Sequence, residues 1–326
     1  MKILFVHQGL MSFVQKDLDI LQSRYEVRAL HFAGAHNVAE ILSGTLWADL
    51  TMCWFGKLHA FLAVASSKIL GRKAVVVAGG DDVACQSEIN YGMFVYWWKK
   101  WCPLYVFQHA DLVLSVSGFN RCETIQNTRA DPSKVSLLYH GFDPQKWQHM
   151  DGVRKEKLVL TVGRVTNETL RKKGLDLFVQ SARHLPDVPF VLVGPWQDSA
   201  VERLKTIAPS NVTFAGGLYG RDLLSMYSRA TVYVQASVHE SFGCSVAEAM
   251  LCECVPVVSR RAALPEVVGD CGLYIDELEP RNLAAQIGQA LRSQLGQQAR
   301  ERVIATFPLE RRHRLLLALV DEAVAA

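Results

Sequence analysis

The chain has 326 residues, a length that fits about two domains of roughly 150 residues each. Half of the residues are hydrophobic and 21% are charged, which is ordinary for a globular α/β protein. A formal charge of +3 is too small for nucleic-acid binding, which usually needs a concentrated basic face, so we expect no nucleic-acid partner.

The eight cysteines are scattered, with no CxxC pair and no Cys/His spacing typical of a zinc site. We therefore expect reduced thiols, mostly buried, in a cytoplasmic protein. The apolar run after Met1 is too short for a signal peptide. No run approaches the ~18 apolar residues that a membrane-spanning helix needs.

Short apolar runs alternate with amphipathic stretches along the chain, which predicts repeated βαβ units. The runs are continuously apolar, as in parallel strands that are covered on both faces. Strands are predicted at 3–6, 27–30, 50–53, 74–77, 112–116 and 135–138, and then at 158–162, 190–193, 212–215, 231–234, 255–258 and 273–275. The chain is predicted to end in helices at 281–294, 297–305 and from 310 onward.

The segment 140–157 has little apolar periodicity and is rich in turn-forming residues, so we interpret it as a connection between two domains. The predicted architecture is two parallel sheets in tandem. Ligands of such sheets bind at the carboxyl ends of the strands, near a topological switch point. Two of these edges facing each other would form a deep cleft.

The stretch 239–250 lies between two predicted strands, and a helix is expected to begin at 242–244. Gly243 lets the backbone approach a ligand, and the first helical amides form an anion site. Glu240 and Glu248 are eight residues apart, at most ~12 Å along a helix. One carboxylate could hold ribose hydroxyls and the other sugar hydroxyls of an activated donor. The alternative is two solvated surface charges.

A second polar stretch follows the first strand of the C-terminal half. Arg164 lies at the carboxyl end of that strand, where its guanidinium could grip a diphosphate. Lys173 precedes Gly174 at the start of the next helix and could neutralise a leaving phosphate. The alternative is that Arg171, Lys172 and Lys173 form a solvated basic loop.

These two stretches together carry a family resemblance. Gly-Arg at 163–164 and Lys-Gly at 173–174, followed by Glu-x-Phe-Gly-x-x-x-x-Glu at 240–248, resemble the retaining glycosyltransferases of family 4 (glycosyl transferases group 1). The resemblance covers roughly residues 135–310. It extends to further segments at 140–143, 212–219 and 264–269.

The resemblance implies the GT-B fold, in which two Rossmann-like parallel-sheet domains face each other across a cleft. Residues 1–145 would bind the acceptor and 146–306 the nucleotide sugar, while the helix at 307–326 would return to the N-terminal domain. The implied reaction moves a sugar from a UDP- or GDP-sugar to a hydroxyl of a glycan, a lipid or a small molecule. It retains the anomeric configuration and uses no cofactor and no catalytic metal.

The resemblance also assigns the donor site, to Gly163, Arg164, Lys173, Leu218, Glu240, Phe242, Gly243 and Glu248. Arg164 and Lys173 would bind the diphosphate and Glu248 the ribose. Glu240, with the amides at the start of the following helix, would hold the transferred sugar, and Leu218 lies in the loop that meets the nucleobase. Arg164, Lys173 and Glu240 are therefore the predicted catalytic residues.

On the acceptor side, most family members carry a glycine pair after the first strand, whereas this chain has Gly9 alone. Gly79 and Gly80 follow the fourth strand, in a segment that resembles Gly-Gly-Tyr-Asp-Val of some members. Asp82 occupies the matching aspartate and could orient an acceptor hydroxyl. The alternative is a turn whose aspartates cap the next helix.

The segment 91–101 carries three tryptophans and two lysines in one predicted helical stretch. Its part from Phe94 to Trp101 could dock at the interface of a membrane, on the inner face of that membrane. The same part could instead bind a lipid-linked acceptor. The alternative is an amphipathic helix whose rings pack on the first sheet.

Two other functions are weighed against a transferase. A sugar-nucleotide epimerase with a related fold would share the nucleotide contacts without an acceptor, and a non-catalytic nucleotide-sugar-binding protein would bind without turnover. The presence of Arg164, Lys173, Glu240 and Glu248 together argues against the second. A nicotinamide dehydrogenase is disfavoured because no GxGxxG follows a strand early in either half.

Overall fold

The computed structural model describes residues 1–325, apart from the side chain of Ala35. These residues form two compact units. Unit 1 comprises residues 1–141 and the chain from Leu309 on, and unit 2 comprises Phe142–Pro308. The two divisions predicted from the sequence lie at 145/146 and 306/307, a few residues away in each case.

Each unit is built on a six-stranded sheet in which every paired strand is parallel. The sheet of unit 1 contains β1 (Lys2–His7), β2 (Glu26–His31), β3 (Leu50–Trp54), β4 (Lys73–Ala78), β5 (Leu112–Ser115) and β6 (Val135–Leu137). The sheet of unit 2 contains β7 (Glu156–Val162), β8 (Phe190–Val193), β9 (Val212–Gly216), β10 (Ala230–Gln235), β11 (Val255–Ser259) and β12 (Leu273–Ile275). The twelve predicted strands are confirmed, with ends that differ by no more than two residues.

The strand orders are β2-β1-β3-β4-β5-β6 in unit 1 and β12-β11-β10-β7-β8-β9 in unit 2. In unit 2 the chain builds outward from β7 to β9, and then returns to the other side of β7 with β10. The topological switch point of this sheet therefore lies between β7 and β10, which is where ligands of such sheets bind.

Helices connect the strands. Those of unit 1 are α1 (Ser12–Gln22), α2 (Val38–Trp47), α3 (Leu58–Ile69), α4 (Trp101–His109), α5 (Gly118–Thr128) and the last helix, α14 (Leu309–Ala325). Those of unit 2 are α6 (Asn167–Lys172), α7 (Leu175–Ser181), α8 (Ala200–Ile207), α9 (Gly220–Arg229), α10 (Cys244–Leu251), α11 (Leu264–Val268), α12 (Pro280–Ala290) and α13 (Gly296–Thr306). None of the helices described is long and apolar enough to cross a bilayer.

The burial of the strands explains their apolar sequences. Every residue of β3 and of β11 is buried, because the neighbouring strands close both edges and helices cover both faces. The edge strand β2 has no fully buried residue and carries Glu26 and Arg28. The apolar runs of the sequence therefore mark the interior of each sheet.

A buried ion pair fixes α14 in unit 1. Arg312 donates from Nε and Nη2 to the two carboxylate oxygens of Asp17, each at 2.7 Å, and both side chains are inaccessible to solvent. Its Nη1 donates to the carbonyl oxygens of Leu138 and Tyr139. The indole of Trp54 donates to Asp17 at 3.1 Å. Both charges are thus paired and hydrogen-bonded, the condition under which a buried ion pair is tolerated.

The prediction of one helical stretch over residues 91–101 is wrong. A short 3-10 turn spans Met93–Val95, further turns follow, and α4 begins only at Trp101. Pro103 explains this boundary. Its ring would clash with the carbonyl four residues earlier, that of Lys99, so the proline is tolerated only in the first turn of a helix.

Candidate functional site

The two polar stretches meet at the switch point of unit 2. The loop after β10 packs against the α6–α7 junction, where the amide of Val238 donates to the carbonyl oxygen of Lys172 at 2.8 Å. Gly174 has a φ of 62°, and a Cβ there would lie 2.3 Å from the carbonyl oxygen of Ala236. Only glycine therefore permits this approach, which joins the two loops that carry the predicted catalytic residues.

Lys173 and Glu240 form an ion pair across these two loops. The distance from Lys173 Nζ to Glu240 Oε1 is 2.9 Å, and the side chains are only 19% and 14% exposed. Lys173 also lies against Gly163, where an added Cβ would be 2.9 Å from its Cδ. The structure thus brings three of the predicted donor-site residues into one place.

The two oxygens of the Glu240 carboxylate have different surroundings. Oε1 accepts from Lys173 Nζ at 2.9 Å, from Gln235 Nε2 at 2.9 Å and from Ser237 Oγ at 3.1 Å. Oε2 accepts from none of the residues that the structure describes. The carboxylate is therefore held through one oxygen, and the other can accept hydrogen bonds from a ligand.

Electrostatics keep Glu240 ionised. Burial would by itself raise the pKa of this carboxyl, because a charge loses hydration there. The ammonium groups of Lys173 and Lys172, with the hydrogen bonds from Lys173 and Ser237, outweigh burial and lower the pKa of Glu240 to about 2. Glu240 is thus an acceptor of hydrogen bonds, rather than a proton donor, at any physiological pH.

Sequence reasoning missed the side chains that support Glu240. Gln235 is the last residue of β10 and is fully buried, and its Oε1 accepts from the hydroxyl of Tyr233 at 2.8 Å. Its Nε2 also donates to Ser237 at 2.6 Å. The available signal was a polar residue that closes an otherwise apolar strand immediately before the predicted site.

Glu248, the second of the two predicted donor-site glutamates, lies on α10. The hydroxyl of Tyr227 donates to its Oε2 at 3.4 Å. Tyr227 is fully buried, and burial together with the charge of Glu248 raises the pKa of its hydroxyl well above the usual value. This hydroxyl therefore stays protonated and supports the carboxylate.

The helix start between the two glutamates has the predicted backbone. α10 begins at Cys244 after Gly243, whose φ of 103° places it in the region that favours glycine. The ring of Phe242 is buried against Phe142 and Phe307, with ring centroids 5.8 and 5.1 Å away. Only the backbone of Phe242, and not its side chain, is therefore suited to meet a ligand.

Arg164 and Leu218 lie in neighbouring loops of unit 2. The Arg164 side chain is exposed, and its guanidinium makes no hydrogen bond or ion pair with any described residue. The carbonyl of Arg164 accepts from the hydroxyl of Thr169, which fixes the backbone after β7. Leu218 is half-buried in the β9–α9 loop, beside the exposed ring of Tyr219. The structure does not join either residue to the Lys173–Glu240 pair.

The predicted acceptor residues lie in unit 1. A Cβ at Gly9 would meet nothing within 4 Å, so nothing in the surrounding structure requires glycine there. Asp82 is fully buried, and its carboxylate accepts from the amides of Gly56 and Gly80 at 2.7 Å each, and from Gly79. Burial, with the nearby charge of Asp81, raises the pKa of Asp82 to about 6. This geometry favours the turn alternative, although Asp82 binds loop amides rather than capping a helix.

Two further polar residues of unit 1, Ser117 and Asp111, have structural contacts. Ser117 accepts from the amide of Asn120 and caps α5. Asp111 accepts from Lys68 and from the amide of Ala74. No group of three or more His, Cys, Asp or Glu side chains in residues 1–325 is arranged to hold a metal ion.

Two parallel-sheet units, with a cationic and an acidic side chain at the switch point of the second, are the architecture predicted for the GT-B fold. Residues 156–293 match the family model described as Glycosyl transferases group 1. The predicted resemblance to this family is confirmed over these residues, which form most of unit 2.

Individual proteins and solved structures are also similar to this chain. The alpha-maltose-1-phosphate synthase of Mycolicibacterium smegmatis is 28% identical over 91% of this chain and 79% of its own length. The structure of Anabaena HepE in complex with UDP and glucose has a TM-score of 0.81 and 18% identity, over 99% of this chain and 100% of that one. Sucrose-phosphate synthase from Thermosynechococcus elongatus has a TM-score of 0.82 and 17% identity, over 100% and 99%. The two structural likenesses confirm the predicted fold.

Proposed function

We propose that the protein transfers a sugar from a nucleotide-diphosphate sugar to an acceptor hydroxyl, with retention at the anomeric carbon. The observation that carries this proposal is the Lys173–Glu240 ion pair at the switch point between β7 and β10. The pair offers a cation for a diphosphate and an ionised carboxylate for sugar hydroxyls, side by side. The UDP and glucose named with Anabaena HepE fit the same class of donor.

The donor would lie along the site in a defined order. Glu248 would bind the ribose, Lys173 and the exposed Arg164 the diphosphate, and Glu240 the transferred sugar, together with the amides around Gly243. Leu218 would lie near the base. A half-buried ammonium and helix-end amides would stabilise the charge that develops on the leaving phosphate, so the proposed reaction uses no cofactor and no metal ion.

The acceptor is proposed to bind unit 1, near the loops that carry Gly9 and Gly80. The carboxylate of Asp82 would serve this loop indirectly, by holding the amides of Gly79 and Gly80 in place. Its oxygens are occupied by backbone donors, so an acceptor glycan, lipid or small molecule would meet other groups of these two loops.

The test begins with the donor. Melting temperature is measured with UDP-, GDP- and ADP-sugars, because a ligand that binds only the folded state raises it. Turnover is then measured as release of the nucleoside diphosphate, and the anomer of the product is read by NMR. We expect Lys173→Met to lower turnover by at least about tenfold, and Arg171→Met, an exposed cation in the last turn of α6, to leave it within about twofold. Equal turnover of the two variants would contradict the proposal, and an inverted product would contradict retention.

We also propose that unit 1 meets an anionic membrane, at the cytoplasmic face, through the segment from Phe94 to Trp101. Trp97, Trp98 and Trp101 are 77%, 53% and 51% exposed, and Lys99 and Lys100 are exposed beside them. No acidic residue occurs between 91 and 110. Exposed tryptophans with flanking lysines match the chemistry of the interface of an anionic bilayer.

The surface continues onto α3. Trp101 packs edge-on against Phe61, with ring centroids 5.1 Å apart. On the same helix Leu58 and Ile69 are exposed, which gives α3 an apolar stripe toward solvent. Such a stripe adds apolar area to the tryptophans, as an interfacial membrane contact requires.

Co-sedimentation with phosphatidylglycerol-containing vesicles tests the membrane contact. We expect binding that is lost with Trp97→Ser/Trp98→Ser and weakened by salt. The matched control is Trp196→Ser, an exposed tryptophan of unit 2. Binding that is identical in both variants would contradict the proposal, as would a surface that binds neutral and anionic vesicles equally.

A further inference from the structure

The side chain of Gln235 is placed to direct Glu240. It closes β10, in the interior of the second sheet, and is fully buried. A buried amide is costly unless it is hydrogen-bonded, and this one is bonded at both ends. Its Oε1 accepts from Tyr233 at 2.8 Å and from Ser245 at 3.4 Å, and its Nε2 donates to Glu240 at 2.9 Å.

The chemistry of the partners fixes the direction of this chain. An ionised carboxylate can only accept, so the amide nitrogen of Gln235 must face Glu240. The amide oxygen then faces the hydroxyl of Tyr233, which donates to it. The result is a chain of donors, from Tyr233 through Gln235 to Glu240, that begins in the core and ends in the site.

We infer that Gln235 is a positioning residue that fixes the rotation of the Glu240 carboxylate, so that Oε2 is presented to the donor sugar. The inference rests on the proposed function, in which Glu240 binds the transferred sugar. Lys173 alone would not fix this rotation, because an ammonium is a compact charge that attracts either oxygen of a carboxylate. The buried amide, in contrast, is anchored behind by Tyr233 and Ser245. Its Nε2 donates to Oε1 directly and also to Ser237, whose hydroxyl donates to the same oxygen.

The first experiment separates positioning from a structural role. Gln235→Met keeps the approximate size of the side chain and removes the hydrogen bonds of the amide to Tyr233, Ser245, Ser237 and Glu240. We expect kcat for nucleoside diphosphate release to fall about tenfold, with UDP-glucose, GDP-mannose or ADP-glucose, whichever is turned over. We expect the Kd of the matching nucleoside diphosphate to change less than about twofold, because that part of the donor does not reach Glu240.

A double-mutant cycle gives the decisive comparison. In the Glu240→Ala background there is no carboxylate to position, so Gln235→Met should lower kcat by no more than about twofold further. Additive losses would overturn the inference. If Glu240→Ala itself keeps full turnover, the proposed function fails instead. If Glu240→Ala loses turnover and Gln235→Met does not, only the role of Gln235 fails.

The pH profile of Gln235→Glu provides an independent readout, which also applies if Gln235→Met does not fold. A glutamate at 235 must be protonated to donate to Glu240, and two adjacent carboxyls raise the pKa of one of them. Activity should therefore fall as pH rises from about 5 to 8, a loss that wild type, with an uncharged amide, does not share. A profile parallel to that of wild type would overturn the inference.

Discussion

Replacement of Arg312 by methionine is predicted to destabilise unit 1 strongly. The substitution removes both donors to Asp17 and the two bonds to the carbonyls of Leu138 and Tyr139. The carboxylate of Asp17 then stays fully buried, with the indole of Trp54 as its remaining donor. Removal of one partner of a buried ion pair typically costs about 3–5 kcal/mol, because the other charge is left uncompensated.

The loss is measurable by thermal or urea unfolding. For a unit of this size, a loss of about 3–5 kcal/mol lowers Tm by roughly 6–20 °C. The control is Arg314→Met, which removes an exposed arginine of the same helix and should change Tm by less than about 2 °C. The transition of unit 2 should be unaffected, because the ion pair lies within unit 1.

A double variant tests whether the unpaired carboxylate of Asp17 causes the loss of stability. If the cost comes from an unpaired buried carboxylate, Arg312→Met combined with Asp17→Leu should recover part of the stability, since two apolar side chains leave no buried charge. Arg312→Met with a loss under about 1 kcal/mol would refute the reasoning, and so would a double variant that is less stable than the single one.

Three further predictions concern unit 2. Glu248→Ala should weaken nucleotide binding in calorimetry, and undiminished affinity would remove its proposed ribose role. The pKa of Glu240 is lowered from 4.5 to about 2 in the folded state. Its ionisation therefore contributes about 3 kcal/mol to the free energy of unfolding above pH 4.5, and this contribution is lost as pH falls toward 2. Unfolding at stepwise lower pH should show this loss in wild type but not in Glu240→Gln. Gly174→Ala should lower the free energy of unfolding by at least about 1–3 kcal/mol, because of the positive φ at this position and its contact with Ala236. Gly9→Ala is the control and should be nearly neutral. Equal effects of the two substitutions would contradict the argument.

The interior strands were predictable because they are covered on both faces. A strand such as β11 has no solvent side, so it is apolar from Val255 to Val258 and its ends are visible in the sequence. The helix predicted at 91–101 was wrong for a different reason. Its composition resembles a helix, but the boundary is set by a single residue, Pro103, through a steric effect that composition does not carry.

Local sequence left the role of Asp82 open between an acceptor contact and a turn. An aspartate after two glycines looks the same whether its carboxylate faces a ligand or the amides of its own loop. Only the fold shows that Gly56, from the loop after β3, supplies a third donor and seals the carboxylate from solvent. A prediction that needs contacts between distant loops therefore requires the strand order first.

The proximity of Lys173 to Glu240 was predictable from the sequence, whereas the contact of Gln235 with Glu240 was not. The first two stand out because charged side chains follow apolar strands, and the order of the sheet then makes β7 and β10 neighbours at its switch point. Gln235 carries no charge and acts from inside the strand, where an amide is normally costly. Its burial makes sense only beside a carboxylate that needs a fixed orientation, so the support of the site becomes visible only after the site itself is known.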